Sequence, residues 1–420
     1  MSVFEELESE VRSYSRSWPV VFDRARGSWL YDEDGNRYLD FFTGAGALNY
    51  GHNPPVLKRA LMDYLSRDGV AHSLDMYTVA RRHFLKALQE TVLVPRGLDY
   101  RVVFPGPGGA NAVEAALKLA RRVTGRTSVV HFTNSFHGMT LGALAVSGNA
   151  VKRRAAGVPL THSVTLPYDG YADGSPELLD RMIGDPGSGL DKPAAVIVET
   201  VQGEGGVRVA SIQWLRVLAD VCRRHGVLLV VDDVQMGCGR TGPFFSFEDA
   251  GIVPDMVCLS KSIGGYGLPL ALTLIRPELD VWQPGEHNGT FRGVGPAFVT
   301  GAAALRAYWS SNDLEKVVRR TGERLAGRLG EIADKYDGEG ITVTGRGLAA
   351  GLAFPNAAGD ESGGVASRVS TTAFRRGLLV ETSGADSSVV KLLPPLTVSE
   401  TELEEGMDIL ASAVHAVLGT

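Results

Sequence analysis

Apolar residues fall along this chain in two alternating rhythms. Short, predominantly apolar runs occupy 102–104, 129–132, 195–199, 228–231, 257–259 and 271–275, and between them apolar residues recur at helical spacing. Runs of this length bounded by turn residues predict buried strands. Strands alternating with amphipathic helices predict an α/β fold, a largely parallel sheet covered by helices on both faces. In such sheets a ligand lies beyond the carboxyl ends of the strands. The residues that end each strand are therefore the first candidates for chemistry.

The flanking segments read differently. Residues 4–22 predict an arm with a short amphipathic helix, and 27–42 alternate like a hairpin with Asp34-Gly35 at its turn. Residues 43–55, Thr-Gly-Ala-Gly-Ala-Leu-Asn-Tyr-Gly-His-Asn-Pro-Pro, are too rich in glycine and turn formers for a regular element and predict a sharply bent, pocket-lining loop. Helical periodicity covers 56–68 and 78–91. Beyond the sheet, 301–310 and 313–336 predict helices, 341–354 strands around Gly345-Arg346-Gly347, and 400–418 a terminal helix. The resulting division is 1–60 for the arm and part of a small α+β domain, 61–300 for the large domain, and 301–420 for the rest of the small domain, which both ends of the chain build together.

Composition narrows the class. With 420 residues, 44% hydrophobic and 21% charged, the chain can bury a large core. A net charge of -6, with the charges interspersed, offers no basic face for nucleic acid. Cys222, Cys238 and Cys258 are odd in number, lack metal-ligand spacing and lie in or beside apolar segments, so we expect no metal site, buried free thiols and a reducing cytoplasm. The acidic start of the chain carries no apolar run, and no stretch reaches the eighteen apolar residues of a membrane span. Neither secretion nor membrane insertion is expected.

Two strand ends carry a specific chemistry. The run Met256-Val257-Cys258-Leu259 ends in Ser260-Lys261-Ser262 and a glycine-rich turn, placing one lysine where a buried strand meets a cleft. A lysine there loses hydration and becomes a usable nucleophile toward an aldehyde. Twenty-nine residues earlier another apolar strand runs into Asp232-Asp233-Val234-Gln235. Adjacent carboxylates at a buried strand end are costly unless a cation meets one of them. Pyridoxal 5'-phosphate answers both, with its aldehyde for the lysine and its ring nitrogen for an aspartate.

Other strand ends suit the same ligand. Pro105-Gly106-Pro107-Gly108-Gly109-Ala110-Asn111 precedes a helix over 112–123 closed by Gly125, a combination that can cradle a phosphate on free backbone N–H groups. Asn111 with Glu114 also fits an ordinary capping box. Asn134-Ser135-Phe136-His137-Gly138 offers an aromatic side chain for stacking on a planar ring, and Val201-Gln202-Gly203-Glu204-Gly205-Gly206 sets a glutamate on a flexible loop.

In order and spacing these stretches resemble the class III aminotransferases, the ornithine and 4-aminobutyrate type within fold type I of the pyridoxal phosphate enzymes, over nearly the whole chain. The resemblance implies a mainly parallel seven-stranded large domain. It implies that Lys261 takes the cofactor aldehyde and moves protons, that Asp232 meets the pyridine nitrogen, that Val234 packs against the ring and that Gln235 reaches the ring hydroxyl. Phe136 and His137 would cover the other ring face, and Gly109 and Ala110 would form the phosphate turn. Thr290, in Gly289-Thr290-Phe291-Arg292-Gly293, would reach the phosphate of a neighbouring subunit, so a homodimer or a dimer of dimers is implied. Glu204 matches a loop glutamate that pairs with a switching arginine, where this chain carries Lys391.

The arm at 4–14, the loop at 44–53 and the segment 285–293 resemble more closely the diaminobutyrate-forming branch of that class, which serves ectoine biosynthesis. That implies L-glutamate as amino donor and the terminal aldehyde of aspartate 4-semialdehyde as acceptor. The chain departs from the branch at Gly108 and Ala110, where hydroxyl residues are usual, and at Val294-Gly295, where asparagines are usual. Candidates for binding substrate carboxylates are Lys152, Arg153, Arg154, Arg292 and Lys391, with Glu204 as a partner. Another ω-transaminase of the class, or a fold type I protein that does not transaminate, stays open on the residues alone.

Overall fold

The computed structural model describes residues 3–172, 175–355 and 364–419. Its centre is a seven-stranded sheet of β1 (Arg101–Val103), β2 (Val129–Phe132), β3 (Ser163–Leu166), β4 (Ala195–Val198), β5 (Leu228–Asp232), β6 (Met256–Leu259) and β7 (Leu272–Ile275), in the spatial order β1-β7-β6-β5-β4-β2-β3. β2 through β6 are mutually parallel where they pair. β7 runs antiparallel to both neighbours, β6 and β1. The β6–β7 connection holds a single tight turn, Lys261–Gly264, and no crossover helix, so the chain folds straight back.

Side chains alternate across this sheet, as the pleat requires. Ile197, Val230, Met256 and Cys258 meet the helix Gly109–Thr124, through Ala112, Val113, Ala116 and Leu117. Val196, Val198, Leu229, Val231 and Val257 face the opposite core, which includes Trp214, Leu215, Leu218 and Val221 of the helix Ile212–His225. That helix starts where Ser211 accepts the Trp214 N–H and ends at Gly226 in the left-handed conformation. With both faces covered, the inner strands are almost entirely apolar, His131 in β2 and Thr273 in β7 being the polar residues within them.

A second body draws on both ends of the chain. Strands Phe22–Arg26, Trp29–Asp32 and Arg37–Asp40 form an antiparallel sheet whose last strand is joined in parallel by Leu378–Leu379. Another sheet runs in the order Thr342–Arg346, Ala349–Ala353, Val389–Leu392, Glu381–Ser383. The helices Asp313–Asp334, Gly364–Arg375 and Glu400–Leu418 pack around them. Both divisions drawn from the sequence fall inside continuous helices: residues 60 and 61 lie in Pro55–Ser66, and 300 and 301 in Gly295–Trp309. These two helices pack on each other. Gly295, one of the departures noted above, is a close-approach position, because a Cβ there would lie 2.0 Å from the Val70 carbonyl oxygen.

Candidate active site

Beyond the ends of β4, β5 and β6 lies a cavity of about 190 Å³, whose lining includes Gly109, Phe136, Glu199, Asp232, Val234 and Lys261. Ala110, His137, Glu204 and Gln235 complete the expected set that it brings together. Thr290, Arg292 and Lys391 do not line it.

Lys261 projects from the turn after β6 with φ at 51°, an uncommon conformation for a side-chain-bearing residue. Its Nζ donates to the Ala45 carbonyl at 2.7 Å. The same carbonyl accepts from Gln235 Nε2 at 2.9 Å, and Ser262 Oγ donates to the Gly46 carbonyl at 2.8 Å. The bent loop thus closes over the lysine turn, with positive φ at Thr43, Gly44, Ala45 and Gly46. Burial pushes the Lys261 amine down to about 8, against the pull of Glu204.

Asp232 ends β5. Its Oδ2 lies 2.7 Å from His137 Nδ1, and its Oδ1 accepts the Val234 N–H at 3.1 Å. The next carboxylate is committed elsewhere: Asp233 is held by the Ser246 N–H at 2.9 Å and the Ser246 hydroxyl. Burial nevertheless pushes Asp233 up to about 7. His137 lines the cavity as expected, but one ring nitrogen is spent on Asp232 while Nε2 is buried without a partner among the described residues. Phe136 presents the aromatic wall.

The helix after β1 begins three residues earlier than its periodicity predicts, at Gly109. Asn111 is therefore not the cap residue: its Oδ1 accepts the Gly108 N–H at 3.0 Å from inside the first turn. Glu114 instead accepts from the Thr140 hydroxyl at 2.5 Å and the Ala143 N–H at 3.0 Å. The earlier start puts Gly109 and Ala110 in the helix's first turn, where backbone N–H groups lack intrahelical partners. Gly109 also has no room for a side chain, since a Cβ would lie 2.8 Å from Val234 Cγ1.

Two expected residues sit apart. Thr290 is exposed on the short turn Thr290–Arg292, lining a separate cavity of about 420 Å³ with Pro105, Gly106, Pro107 and Asn111. Arg292 Nη1 donates to the His287 carbonyl at 3.2 Å and to Asn288 Oδ1 at 3.1 Å, and lies 3.9 Å from Asp75.

Lys391 is fully buried, 2.6 Å from Glu204 Oε1 and 3.0 Å from Glu381 Oε1. Burial works against the charge of Lys391, but Glu204 and Glu381 outweigh it and raise its pKa. Burial likewise opposes the charge of Glu204, yet Lys391 and then Lys261 hold that carboxyl down at about 2. Glu381 is pushed up by burial.

Sequence reasoning missed three residues here. Glu199 follows β4 as Asp232 ends β5, the same signal of an acid after an apolar run, and lines the cavity with Oε2 accepting the Phe136 N–H at 3.0 Å. Burial, and then the charge of Asp232, push its carboxyl well up. Glu381 follows the apolar run Leu378-Leu379-Val380, a weaker form of that signal. Tyr14, whose hydroxyl donates to Glu381 Oε2 at 3.2 Å, carries no local signal at all.

Comparison with known proteins decides the family. Residues 11–414 match the family model described as aminotransferase class-III. The chain belongs to the class III aminotransferases. A diaminobutyrate--2-oxoglutarate transaminase of Nocardia farcinica is 60% identical over 99% of this aminotransferase and 94% of its own length. One of Streptomyces coelicolor is 61% identical over 99% and 98%. Among solved structures, an amine transaminase from an uncultivated Pseudomonas species, in its pyridoxal phosphate-bound form, is 28% identical, with a TM-score of 0.86 and coverage of 99% of each chain. The fold is thus that of the fold type I enzymes, and this aminotransferase depends on pyridoxal phosphate, as its class does.

The residues present fit that cofactor. The cavity combines an amine on the Lys261 turn, a carboxylate at the end of β5, an aromatic wall at Phe136 and a helix N-terminus too crowded at Gly109 for any Cβ.

Proposed function

We propose that this aminotransferase moves the amino group of L-glutamate to aspartate 4-semialdehyde, giving L-2,4-diaminobutyrate and 2-oxoglutarate. The observation that carries the chemistry is the meeting of Lys261 and Asp232 in one cavity beyond the strand ends. The substrates rest on near-complete coverage by relatives bearing that activity's name at 60–61% identity.

Each residue then has a role. Pyridoxal phosphate supplies the electron sink that lets bonds at the reacting carbon break. Lys261, its amine pushed down to about 8 by burial, carries the proton between the two carbons that exchange it, as base and then acid. Asp232, oriented by His137, holds a proton on the pyridine nitrogen. Gly109 and Ala110 would offer N–H groups to its phosphate, Val234 and Phe136 would enclose its ring, and Gln235 would meet its hydroxyl. Thr290, exposed on its own subunit, serves a partner's phosphate.

That last role requires a homodimer, alone or paired into a dimer of dimers. Val70, Leu74, Met76, Tyr77, Val79 and Phe291 are exposed large apolar side chains clustered in this region, a surface that assembly would cover. Three buried free cysteines accord with a cytoplasmic enzyme, and no helix among the described residues is long and apolar enough to cross a membrane. The resemblance of 4–14, 44–53 and 285–293 to the ectoine branch supports a place in ectoine biosynthesis.

The test is to mix the protein and pyridoxal phosphate with L-glutamate and aspartate 4-semialdehyde and quantify 2,4-diaminobutyrate beside a Lys261→Ala control. Product from the wild type alone supports the reading. Release of 2-oxoglutarate from glutamate without diaminobutyrate would reject the aldehyde acceptor and leave an ω-transaminase of the ornithine, acetylornithine or 4-aminobutyrate type.

A further inference from the structure

Outside the inner cavity lies a second one of about 630 Å³, which shares Phe136 and Glu204 with it and so continues the path to Lys261. Its lining includes Tyr14, Lys152, Glu381 and Ser383. A substrate whose reacting carbon sat at Lys261 would have this space open to its far end.

Five cations were candidates for meeting a substrate carboxylate, and the geometry removes four. Lys391 is fully buried and held between Glu204 and Glu381. The Arg153 guanidinium donates to the carbonyls of Leu144, Ala145 and Ser147 at 3.2, 3.0 and 2.7 Å. Arg154 is exposed and lines neither cavity, and Arg292 lies among His287, Asn288 and Asp75. Lys152 remains. Its Nζ stands 4.0 Å from the centre of the Phe136 ring and makes no hydrogen bond or ion pair with the described residues. Ser383 Oγ, in the same lining, is buried and has no hydrogen-bond partner among the described residues.

The chemistry of the two half-reactions supplies the ligand. In glutamate the far carboxylate is three carbon–carbon bonds from the carbon that bears the reacting amine. In 2,4-diaminobutyrate, reacting at its terminal amine, the carboxylate is again three bonds away. One fixed cation therefore suits the distal carboxylate of both substrates. We propose that Lys152 binds this distal carboxylate in both half-reactions and so selects for substrates that carry one. This rests on the substrate reading above.

The test uses the holoenzyme, glutarate as an unreactive dicarboxylate, and 1,3-diaminopropane, which is 2,4-diaminobutyrate without its carboxylate. In Lys152→Met, glutarate affinity by calorimetry is expected to fall about tenfold or more, and KM for L-glutamate and 2,4-diaminobutyrate to rise by about as much with kcat little changed. The efficiency with 1,3-diaminopropane stays as in the wild type, and Lys152→Arg recovers much of the loss. Unchanged glutarate affinity, or an equal loss on 1,3-diaminopropane, overturns the role of Lys152. A wild type that acts on 1,3-diaminopropane or another amine but never on 2,4-diaminobutyrate overturns the substrate reading, and this proposal with it.

Discussion

The fully buried Lys391 ammonium lies 2.6 Å from Glu204 Oε1, a carboxylate that faces the cavity, where a loop from the large sheet meets a strand of the C-terminal sheet. Glu381, on the neighbouring strand and opposite Lys391 in register, adds a second carboxylate at 3.0 Å. A lysine offers a point charge with three donors where an arginine would offer a planar fork, so it can sit between two acids without choosing a plane. Burial of such a cluster is stabilising only while every charge keeps its partner.

Removing the ammonium is therefore costly. Lys391→Met is expected to lose about 3 kcal/mol of stability, because Glu381 is left buried without its cation and Glu204 loses the nearer of its own. Adding Glu204→Gln and Glu381→Gln to that variant should restore much of the loss, as read from urea denaturation midpoints. The acid limb follows from the depressed Glu204 carboxyl. Its contribution is complete above the ordinary value of 4.5 and is lost as pH falls toward about 2. Glu204→Gln should lack that portion of the wild type's stability change across the same window.

Lys261 predicts a second pH dependence, in a higher window. Only the neutral amine attacks an aldehyde, and burial sets its midpoint at about 8. Uptake of pyridoxal phosphate by the apoprotein, followed by absorbance, should quicken as pH rises through about 8 and level off above it. A rate independent of pH between 6 and 10 would reject the lysine as the capturing group. Lys261→Ala should still fold, show no such phase and lose about 10²–10⁴-fold or more in amino transfer.

His137 acts through Asp232. Their 2.7 Å contact fixes the carboxylate that faces the cavity, so His137→Phe removes a charge-assisted partner from a buried acid. Such a bond is worth about 1.5–3 kcal/mol. Pyridoxal phosphate affinity by equilibrium dialysis should weaken by about tenfold or more, with helix content by circular dichroism unchanged. An unchanged affinity would confine His137 to packing.

Those contacts also explain what could be read ahead of the structure. Lys261 and Asp232 each follow an apolar run that only a buried strand can use, so their place at the sheet's edge was legible. β3 was not, because Ser-Val-Thr-Leu at the sheet's edge has no apolar run to mark it. The direction of β7 was hidden for a different reason: parallel and antiparallel strands buried on both faces look alike in sequence, and only the length and content of the preceding turn distinguish them. Glu381 and Tyr14 meet across 367 positions of chain, and no local pattern encodes such a contact. The helix containing Gly109 was placed too late because Asn111 resembles a cap residue while serving from within the first turn.

That earlier helix start makes Gly109 a sharp test of the phosphate turn. A Cβ at this position would stand 2.8 Å from Val234 Cγ1 and 3.3 Å from Cγ2, both closer than packed carbons tolerate. The neighbour is a stiff β-branched side chain that starts only two residues beyond Asp232, so it cannot swing aside freely. Either Val234 shifts toward the space of the cofactor ring or the helix N-terminus backs away from the phosphate. Overpacking of this kind costs about 1–3 kcal/mol, which for Gly109→Ala should appear as a weaker hold on pyridoxal phosphate of about tenfold or more. The thermal midpoint of the apoprotein should move far less, since the crowding is at a cavity wall. In the double variant Gly109→Ala/Val234→Ala the added methyl meets a vacated site, and affinity should return most of the way. Equal weakening in the single and double variants would place the defect in the backbone of the turn instead of in its contact with Val234.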